Sequence, residues 1–373
     1  MGLTSNTVLL LSVLFALLLF VGTVWLWPRL SRRTWRAVSG RVGLLLSTQL
    51  ALFLCVGLSA NQAFGFYASW ADLFGRETEP GVVVDHTGGA PGPLRVVDTR
   101  RVDGGGGRPE VNGQIQKVAL SGRTTRMGTP AFVYLPPEYF APENRTRTFP
   151  AAVVLTGYPG TAQALVDKLH YPRTARQLAE DGRMQPMILV MLRPTVAPPR
   201  DTECVDIPGG PQTESFFAKD LPDAVTAHYR VGRKPGSWGI IGDSTGGYCA
   251  LKLAMHHPEV YAAGAGLSAY YKAPTDPTTG DLFHGDETLR NEADLHWFMK
   301  NRSAPDTSLL VTSSKSGESN YRATLKFIDL VKATNTTRIS SIILESGGHN
   351  FNTWRREIPP TLEWISGRLS NRS

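Results

Sequence analysis

The chain has 373 residues, a formal net charge of +7 and 42% hydrophobic residues, which is an ordinary globular composition apart from an apolar N-terminal region. The positive charge does not indicate a nucleic-acid partner, because no stripe of basic residues interleaved with aromatic residues is present. The three cysteines, Cys55, Cys204 and Cys249, lack Cys-x-x-Cys or Cys/His spacing, which argues against a zinc site.

Residues 1–75 are predicted to form a membrane hairpin of two transmembrane helices. Residues 8–27 carry no charge and would reach about 30 Å as a helix, which is the thickness of the hydrocarbon core of a bilayer. A second apolar run covers about residues 42–60 and precedes four aromatic residues suited to a membrane interface: Phe64, Phe66, Tyr67 and Trp70. A signal peptide is the alternative for the first run, but residues 1–7 contain no Lys or Arg.

The segment between the two apolar runs carries the arginines Arg29, Arg32, Arg33, Arg36 and Arg41. The positive-inside rule places such a short basic loop in the cytoplasm. Both the N-terminus and everything after residue 70 then lie outside. We therefore expect a multi-pass protein of the cytoplasmic membrane with an extracytoplasmic catalytic domain.

Residues 76–112 are rich in Gly and Pro, include four consecutive glycines at 104–107 and show no sustained helical or strand period. This composition is typical of a flexible spacer. We expect the spacer to hold a catalytic domain, residues 113–373, off the membrane surface.

From residue 113 onward, short apolar runs alternate with amphipathic stretches. Strands that alternate with helices predict a doubly wound, mostly parallel α/β sheet. The strand candidates are residues 115–120, 131–135, 151–156, 187–192, 238–242, 262–268, 308–312 and 340–344. The helix candidates are residues 162–181, 215–228, 247–256, 322–333 and 359–369.

The sequence Gly-Asp-Ser-Thr-Gly at residues 242–246 follows one of these strands and precedes a helical pattern. Strand, Gly-x-Ser-x-Gly and helix in this order are typical of a nucleophile elbow, a tight turn that presents the serine hydroxyl above the sheet. Ser244 is therefore the candidate nucleophile. The alternative is a glycine-rich turn without catalytic function.

The remaining catalytic residues can be placed by chain order, which in a fold with such an elbow is serine, acid, histidine. His349 follows the last predicted strand, and Glu318 is the only carboxylate in the loop at 313–320 after the preceding strand. We expect His349 to act as the base and Glu318 to hold its imidazole. A structural histidine and a solvated loop glutamate are the alternatives.

An oxyanion hole in this fold uses the backbone N–H of the residue after the nucleophile and one from the loop after an earlier strand. Thr245 is the first of these residues. The run Gly-Tyr-Pro-Gly at 157–160 follows the third strand candidate, so Tyr158 is the second. A plain β-turn is the alternative for that run.

Cys204 and Cys249 both fall in the part of the chain expected outside the membrane. Thiols in an extracytoplasmic protein tend to oxidise, so we expect a disulfide between them. Such a bridge would fix the loop around residues 200–208 beside the active site. Two free buried thiols are the alternative.

Three further stretches have a recognisable pattern: residues 132–139 (Phe-Val-Tyr-Leu-Pro-Pro-Glu-Tyr), 242–247 and 257–261 (His-Pro-Glu-Val-Tyr). They resemble the esterase family of α/β hydrolases that includes actinobacterial mycolyltransferases, S-formylglutathione hydrolases and enterochelin esterases. His349 followed by Trp354 resembles the His-x-x-x-x-Trp pattern of the mycolyltransferases. The resemblance covers most of residues 115–370. It implies an α/β-hydrolase fold and an acyl-serine intermediate that is passed to water or to a sugar hydroxyl.

Two departures from the family accompany this resemblance. The loop at 157–158 is not the usual His-Gly or Asp-Gly form, and two spans stand in place of a cleaved signal. Both departures indicate a membrane-anchored actinobacterial member.

Together these features predict a membrane-anchored serine esterase or acyltransferase, acting on a lipid or acyl-sugar ester outside the cytoplasmic membrane. No metal, organic cofactor or nucleic-acid partner is implied. One alternative is a catalytically inactive α/β-hydrolase-fold binding protein of the cell envelope. The other is a serine peptidase, because the same triad cleaves amides.

Overall fold

The computed structural model describes residues 6–64, 92–102, 108–198 and 200–370. The chain divides into two compact units, Met1–Thr78 and Glu79–Ser373. The predicted borders between a hairpin (1–75), a spacer (76–112) and a catalytic domain (113–373) stay predictions.

The N-terminal unit contains two helices, α1 (Asn6–Leu26) and α2 (Trp35–Phe64). The segments Thr7–Leu30 and Trp35–Gln62 have mean hydropathies of 2.7 and 2.0, and both are long and apolar enough to cross a membrane. A signal sequence near an N-terminus meets the same criterion. Three of the predicted interfacial aromatic residues, Phe66, Tyr67 and Trp70, lie outside the described residues.

Polar side chains connect the two helices of this unit. The hydroxyl oxygens of Thr23 and Thr48 are 3.0 Å apart, and the Cys55 thiol donates a hydrogen bond to the Ser12 hydroxyl across 3.5 Å. Most of the large apolar side chains face outward instead. This arrangement suits helices in lipid, where small and polar residues, rather than apolar burial, hold helices together.

The second unit is built on one nine-stranded sheet. The strands are β1 (Leu94–Arg100), β2 (Gln114–Ser121), β3 (Gly128–Leu135), β4 (Ala151–Leu155), β5 (Ile188–Leu192), β6 (Trp238–Asp243), β7 (Ala263–Leu267), β8 (Ser308–Ser316) and β9 (Arg338–Ser346). Their order in the sheet is β1-β2-β3-β5-β4-β6-β7-β8-β9. Strands β1 to β3 pair antiparallel, β3 pairs antiparallel with β5, and β4 to β9 are parallel. The predicted doubly wound, mostly parallel sheet is confirmed.

Helices cover both faces of this sheet, which leaves β4 and β5 buried along their whole length. The helices are α3 (Pro109–Asn112), α4 (Ala162–Asp167), α5 (Tyr171–Glu180), α6 (Thr213–Ser215), α7 (Leu221–His228), α8 (Thr245–His256), α9 (Glu287–Glu292), α10 (Leu295–Asn301), α11 (Tyr321–Lys332) and α12 (Phe351–Ser366). One apolar cluster lies beneath α7, α8, α10 and α11, and the other lies beneath α4, α5 and α12. A π-helical turn (Phe216–Asp220) joins α6 to α7.

The spacer prediction over residues 76–112 does not hold in its second part, because Leu94–Arg100 forms the edge strand β1. This strand pairs with β2, with a shift of register between Val96 and Asp98. Leu94 is its one buried residue, so the strand lacks the apolar alternation that marks a half-buried strand. Pairing with β2, the next strand in the chain, rather than its own local pattern, makes this segment a strand.

Two helix predictions also differ from the structure. The last helix begins at Phe351 instead of at the two prolines of 359–369, because the Asn350 side chain caps it by accepting from the N–H groups of Asn352 and Thr353. The candidate at 162–181 is two helices, α4 and α5. The break falls at His170, whose φ of 57° is left-handed and cannot continue a helix.

Candidate active site

Ser244 is the single residue between the end of β6 and the start of α8, and its backbone is strained. Its φ is 55° and its ψ is −119°, a region that non-glycine residues rarely adopt. The turn is so tight that a Cβ on Gly242 would lie 2.1 Å from the carbonyl oxygen of Gly246. Any larger residue would clash at the two glycine positions of the motif. The geometry is that expected of a nucleophile elbow.

His349 lies in the loop between β9 and α12, and it reaches the serine. Its Nε2 is 2.8 Å from the Oγ of Ser244. The Trp354 ring, one turn into α12, packs edge-on against the imidazole with ring centroids 5.2 Å apart. Desolvation by the surrounding protein lowers the pKa of His349, although 52% of its side-chain surface is exposed. A neutral imidazole at pH 7 can accept the proton of the serine hydroxyl.

Glu318 is buried directly behind this histidine. It follows β8, which continues to Ser316 instead of ending near residue 312 as predicted, and its side chain is 1% exposed. Its Oε1 lies 3.9 Å from the Nδ1 of His349, which is an ion-pair distance rather than a hydrogen bond. Burial raises the pKa of Glu318, and nearby polar groups, Ser268 among them, act in the opposite direction.

A serine directly after β7 lies among these groups, and sequence reasoning missed it. Ser268 accepts a hydrogen bond from the Trp354 indole N–H at 2.8 Å. Ser268 is also one of the groups that lower the pKa of Glu318, whose two buried carboxylate oxygens have no hydrogen-bond partner among the described residues. Trp354 thus packs against the candidate base and holds a serine that favours the ionised form of the candidate acid.

One predicted oxyanion residue follows the serine directly, and the other lies in a loop that packs against it. Thr245 is the first residue of α8, so its backbone N–H has no acceptor within the helix. Tyr158 lies in the loop after β4, next to Gly157. A Cβ on Gly157 would lie 2.9 Å from the Cβ of Ser244, so this loop packs directly against the nucleophile.

Asp243, the second residue of the Gly-x-Ser-x-Gly motif, connects the elbow to that loop. It is 2% exposed, and its Oδ2 accepts a hydrogen bond from the Gly157 N–H at 2.8 Å. Burial raises the pKa of Asp243 to about 7, against the effect of its backbone hydrogen bonds. The sequence does contain an indication of this role. A carboxylate at the second position of Gly-x-Ser-x-Gly can accept hydrogen bonds there only from neighbouring backbone N–H groups.

Cys204 and Cys249 form a disulfide with their Cα atoms 5.7 Å apart. Cys249 lies on α8, four residues after Thr245, and both cysteines are buried. The bridge ties the loop around Cys204 to the helix that begins at the elbow. Cys55 is a free thiol.

The densest group of ionisable side chains elsewhere in the unit is internally paired. Glu214 contacts the Nδ1 of His256 at 2.9 Å, the Nε2 of His257 at 3.1 Å and the buried ammonium of Lys252. Desolvation opposes ionisation of Glu214, but Lys252 and the two histidines outweigh it and hold the pKa well below the usual range. Among the described residues, no three His, Cys, Asp or Glu side chains are arranged to hold a metal ion.

Comparisons with known proteins agree with this geometry. The model of the Esterase family matches residues 123–365. An uncharacterized protein of Corynebacterium glutamicum is 27% identical over 248 residues, which are 64% of this chain and 57% of that relative. The chain therefore spans little more than half the length of that relative.

Solved structures show the same fold. An S-formylglutathione hydrolase from Agrobacterium tumefaciens superposes with a TM-score of 0.56 at 17% identity, over 69% of this chain and 96% of that one. FphF, a fluorophosphonate-binding serine hydrolase of Staphylococcus aureus, gives 0.55 at 17% identity, over 68% and 98%. At these identities the likeness concerns the fold, which is that of the α/β hydrolases.

Proposed function

The chain belongs to the esterase family of α/β hydrolases, and from this premise we propose that it is a membrane-anchored serine esterase or acyltransferase. The observation that carries the proposal is the 2.8 Å contact between His349 Nε2 and Ser244 Oγ at a strained elbow. A strained non-glycine conformation at a turn costs about 1–3 kcal/mol, so the fold must stabilise it by other contacts. A serine hydroxyl that the turn presents next to a neutral imidazole is arranged for nucleophilic attack.

The chemistry follows in two steps. The Ser244 oxygen attacks the acyl carbonyl while His349 takes its proton, and Glu318 stabilises the imidazolium that forms. The backbone N–H groups of Thr245 and Tyr158 stabilise the oxyanion, and loss of one such donor raises a barrier by about 3–4 kcal/mol. Collapse expels the alcohol, which takes the proton from His349. Water or a second alcohol then attacks the acyl-serine with His349 again as the base.

We assign the substrate to esters of the lipid or acyl-sugar type. The support is the apolar hairpin, which would concentrate the enzyme at a bilayer, where lipid and glycolipid esters reside. The proteins of similar fold act, by their names, on a thioester of glutathione or react with fluorophosphonates. Both descriptions fit acyl chemistry at a serine, and neither names a lipid.

We place the second unit outside the cytoplasmic membrane, anchored by α1 and α2 as a multi-pass hairpin. Five arginines lie at or near the turn between these helices, which favours the cytoplasm for that turn. The disulfide between Cys204 and Cys249 supports the same orientation, because such bridges persist in oxidising compartments.

The enzymatic proposal is tested with the full chain in detergent micelles. Wild type is incubated with p-nitrophenyl esters of increasing acyl length and with a fluorophosphonate probe, beside Ser244→Ala and the surface control Ser121→Ala. We expect ester turnover and labelling for wild type and Ser121→Ala, and neither for Ser244→Ala. A wild type as inert as Ser244→Ala in both assays refutes the enzymatic proposal and leaves the non-catalytic binding protein. Faster turnover of the matching p-nitroanilides than of the esters would instead identify a peptidase.

The anchoring is tested in whole cells with a membrane-impermeant maleimide. In a Cys55→Ser background, we expect Ser121→Cys to be labelled in intact cells and Ser31→Cys only after permeabilisation. The reverse pattern would invert the topology. Release of the protein from washed membranes by carbonate would contradict the hairpin and indicate a cleaved signal.

A further inference from the structure

A buried threonine on β8, which the mechanism above does not use, binds the residue that follows the neighbouring strand. Thr312 is fully buried, and its Oγ1 accepts a hydrogen bond from the backbone N–H of Ser268 at 3.0 Å. Ser268 comes directly after β7 and has a left-handed φ of 50°, which non-glycine residues rarely adopt. A residue in such a conformation keeps it only where its surroundings hold it, and the bond to Thr312 is one such contact.

The same peptide group is bound on its other side to the nucleophile. The carbonyl of Leu267 accepts a hydrogen bond from the backbone N–H of Ser244 at 2.9 Å. This carbonyl and the N–H of Ser268 belong to one planar trans peptide unit, so they point in opposite directions. The orientation of that unit is therefore fixed from two sides, by Thr312 and by the backbone of the nucleophile.

The side chain of Ser268 extends the connection to the candidate base. Its hydroxyl accepts a hydrogen bond from the indole N–H of Trp354 at 2.8 Å. The Trp354 ring in turn packs edge-on against the imidazole of His349. The strained turn after β7 is thus connected to both members of the Ser244–His349 pair.

Thr312 is itself oriented by a buried carboxylate. Its hydroxyl donates a hydrogen bond to the Oε2 of Glu357 at 2.8 Å, and Glu357 is fully buried on α12, three residues after Trp354. Residues three apart lie on the same face of a helix, so α12 binds Thr312 and Ser268 from neighbouring positions. Because the Thr312 hydroxyl gives its one proton to Glu357, its oxygen is left as the acceptor that the N–H of Ser268 requires.

We propose that Thr312 is a positioning residue for both Ser244 and His349, acting through the peptide group between Leu267 and Ser268. The inference rests on the function proposed above. The carbonyl of this peptide holds the backbone of the nucleophile, and the serine side chain holds the Trp354 ring against the base. Reacting groups that are displaced even slightly from their productive geometry react much more slowly, so the bond to Thr312 supports the rate of the chemical step.

The test compares two fully buried threonines, five positions apart in the chain, in the full-length protein in detergent micelles. Thr312→Val keeps the shape of the side chain and removes the hydroxyl that binds Ser268 and Glu357. Thr307→Val is the matched control, because Thr307 lies just before β8, at the sheet edge opposite to the site, and donates to the carbonyl of Ala262 at 3.2 Å. We expect Thr312→Val to lower kcat for p-nitrophenyl esters by about tenfold or more with little change in KM, and Thr307→Val to keep the wild-type kcat. Thr312→Ser, which retains the hydroxyl, should recover most of the loss.

The pH profile separates positioning from general destabilisation of the fold. The Trp354 ring lies against the imidazole of His349, and desolvation lowers the pKa of this imidazole. When Thr312→Val loosens the ring, water reaches the imidazole, and the midpoint of the acid limb of kcat/KM should rise toward 6.5. Thr307→Val leaves the ring in place and should keep the wild-type midpoint even where its Tm falls as far. Glu318, the carboxylate that faces the imidazole Nδ1, is unchanged in all of these variants.

A variant at the other end of the connection gives a test that does not depend on folding of Thr312→Val. Trp354→Phe keeps an aromatic ring beside His349 and removes the indole N–H that Ser268 accepts. We expect this variant also to lower kcat and to raise the midpoint of the acid limb. In the double variant Thr312→Val/Trp354→Phe, the loss in kcat should be smaller than the product of the two single losses, because both changes interrupt one connected path.

The outcomes are distinguishable from failure of the enzymatic proposal. A wild type without ester turnover refutes the enzyme itself. An active wild type with equal kcat for Thr312→Val and Thr307→Val refutes the positioning role alone, and so do losses that multiply in the double variant. If Thr312→Val does not fold, wild-type kcat and an unchanged midpoint for Trp354→Phe refute the positioning role.

Discussion

His349 Nε2 and Ser244 Oγ are 2.8 Å apart, although 105 residues separate them in the chain. The serine lies at the C-terminal end of β6 and the histidine lies just beyond the C-terminal end of β9. In a parallel sheet these ends meet at one edge, so loops from distant strands converge there. The contact therefore follows from strand direction and order.

The acid limb of the pH profile should report His349. Only the neutral imidazole accepts the serine proton, and desolvation lowers the pKa of this group below its ordinary value of 6.5. We expect kcat/KM for a p-nitrophenyl ester to rise with pH with a midpoint below 6.5. A midpoint above 6.5 would contradict the depressed pKa. His349→Gln should reduce kcat by about 10⁴-fold or more at every pH.

Glu318→Gln should lower kcat without unfolding the protein. The carboxylate is buried 3.9 Å from the His349 Nδ1, where its charge favours the imidazolium that forms during catalysis. A neutral amide loses this effect, and we expect a loss of about 10²–10⁴-fold with an unchanged Tm. Glu345→Gln is a suitable control, because Glu345 is exposed and pairs with Lys315. Equal activity of the two variants would remove Glu318 from the triad.

Asp243→Ala should misplace the loop that carries Tyr158. The Asp243 carboxylate accepts the Gly157 N–H at 2.8 Å, and its loss leaves a donor next to the nucleophile without this acceptor. We expect kcat to fall by about tenfold or more. Asp243→Asn keeps an acceptor and should fall less. If both variants retain wild-type kcat, the bond does not position the loop.

Glu357→Gln should flatten the dependence of stability on alkaline pH. Glu357 is fully buried on α12, accepts from the Thr312 hydroxyl at 2.8 Å, and burial raises its pKa to about 8. A carboxyl that keeps its proton in the folded state stabilises the fold at low pH. This stability is lost as pH rises from the unfolded pKa through 8.

Between pH 6 and pH 9 this group alone should cost wild type about 2–3 kcal/mol of the free energy of unfolding. Thermal unfolding of the detergent-solubilised chain at the two pH values measures the difference. We expect a smaller drop in Tm for Glu357→Gln than for wild type. An identical drop would mean that the carboxyl ionises without penalty in the fold.

Removal of the disulfide should destabilise the second unit. In the chain-entropy model, a bridge between residues 45 apart in sequence contributes about 4 kcal/mol. We expect Cys204→Ala/Cys249→Ala to unfold at a lower temperature than Cys55→Ala, which removes only the free thiol. Alkylation of Cys204 and Cys249 in the folded protein without prior reduction would contradict the bridge.

Local sequence patterns were sufficient for most of the sheet and for the order of the triad candidates. Strands such as β4 and β5 are buried on both faces, so they appear in the sequence as continuous apolar runs. The elbow was recognisable because a strained serine between a strand and a helix needs glycines at both ends. His349 and Glu318 could be placed because chain order in this fold limits where each can occur.

The supporting contacts could not be predicted in the same way. The bonds from Gly157 to Asp243 and from Ser268 to Thr312 join residues 86 and 44 positions apart. Each bond depends on where two distant segments meet in space, and no local sequence pattern predicts that. Strand β1 was missed for a related reason, since its partner strand and not its own composition makes it a strand.

The open face of the imidazole bears on how an acyl-enzyme would be consumed. Because 52% of the His349 side-chain surface is exposed, bulk water has continuous access to the base. In the proposed mechanism, hydrolysis would then be the default fate of the acyl-enzyme. Transfer to an alcohol requires an acceptor bound often enough to compete with solvent, and the partition ratio between the two products measures that occupancy.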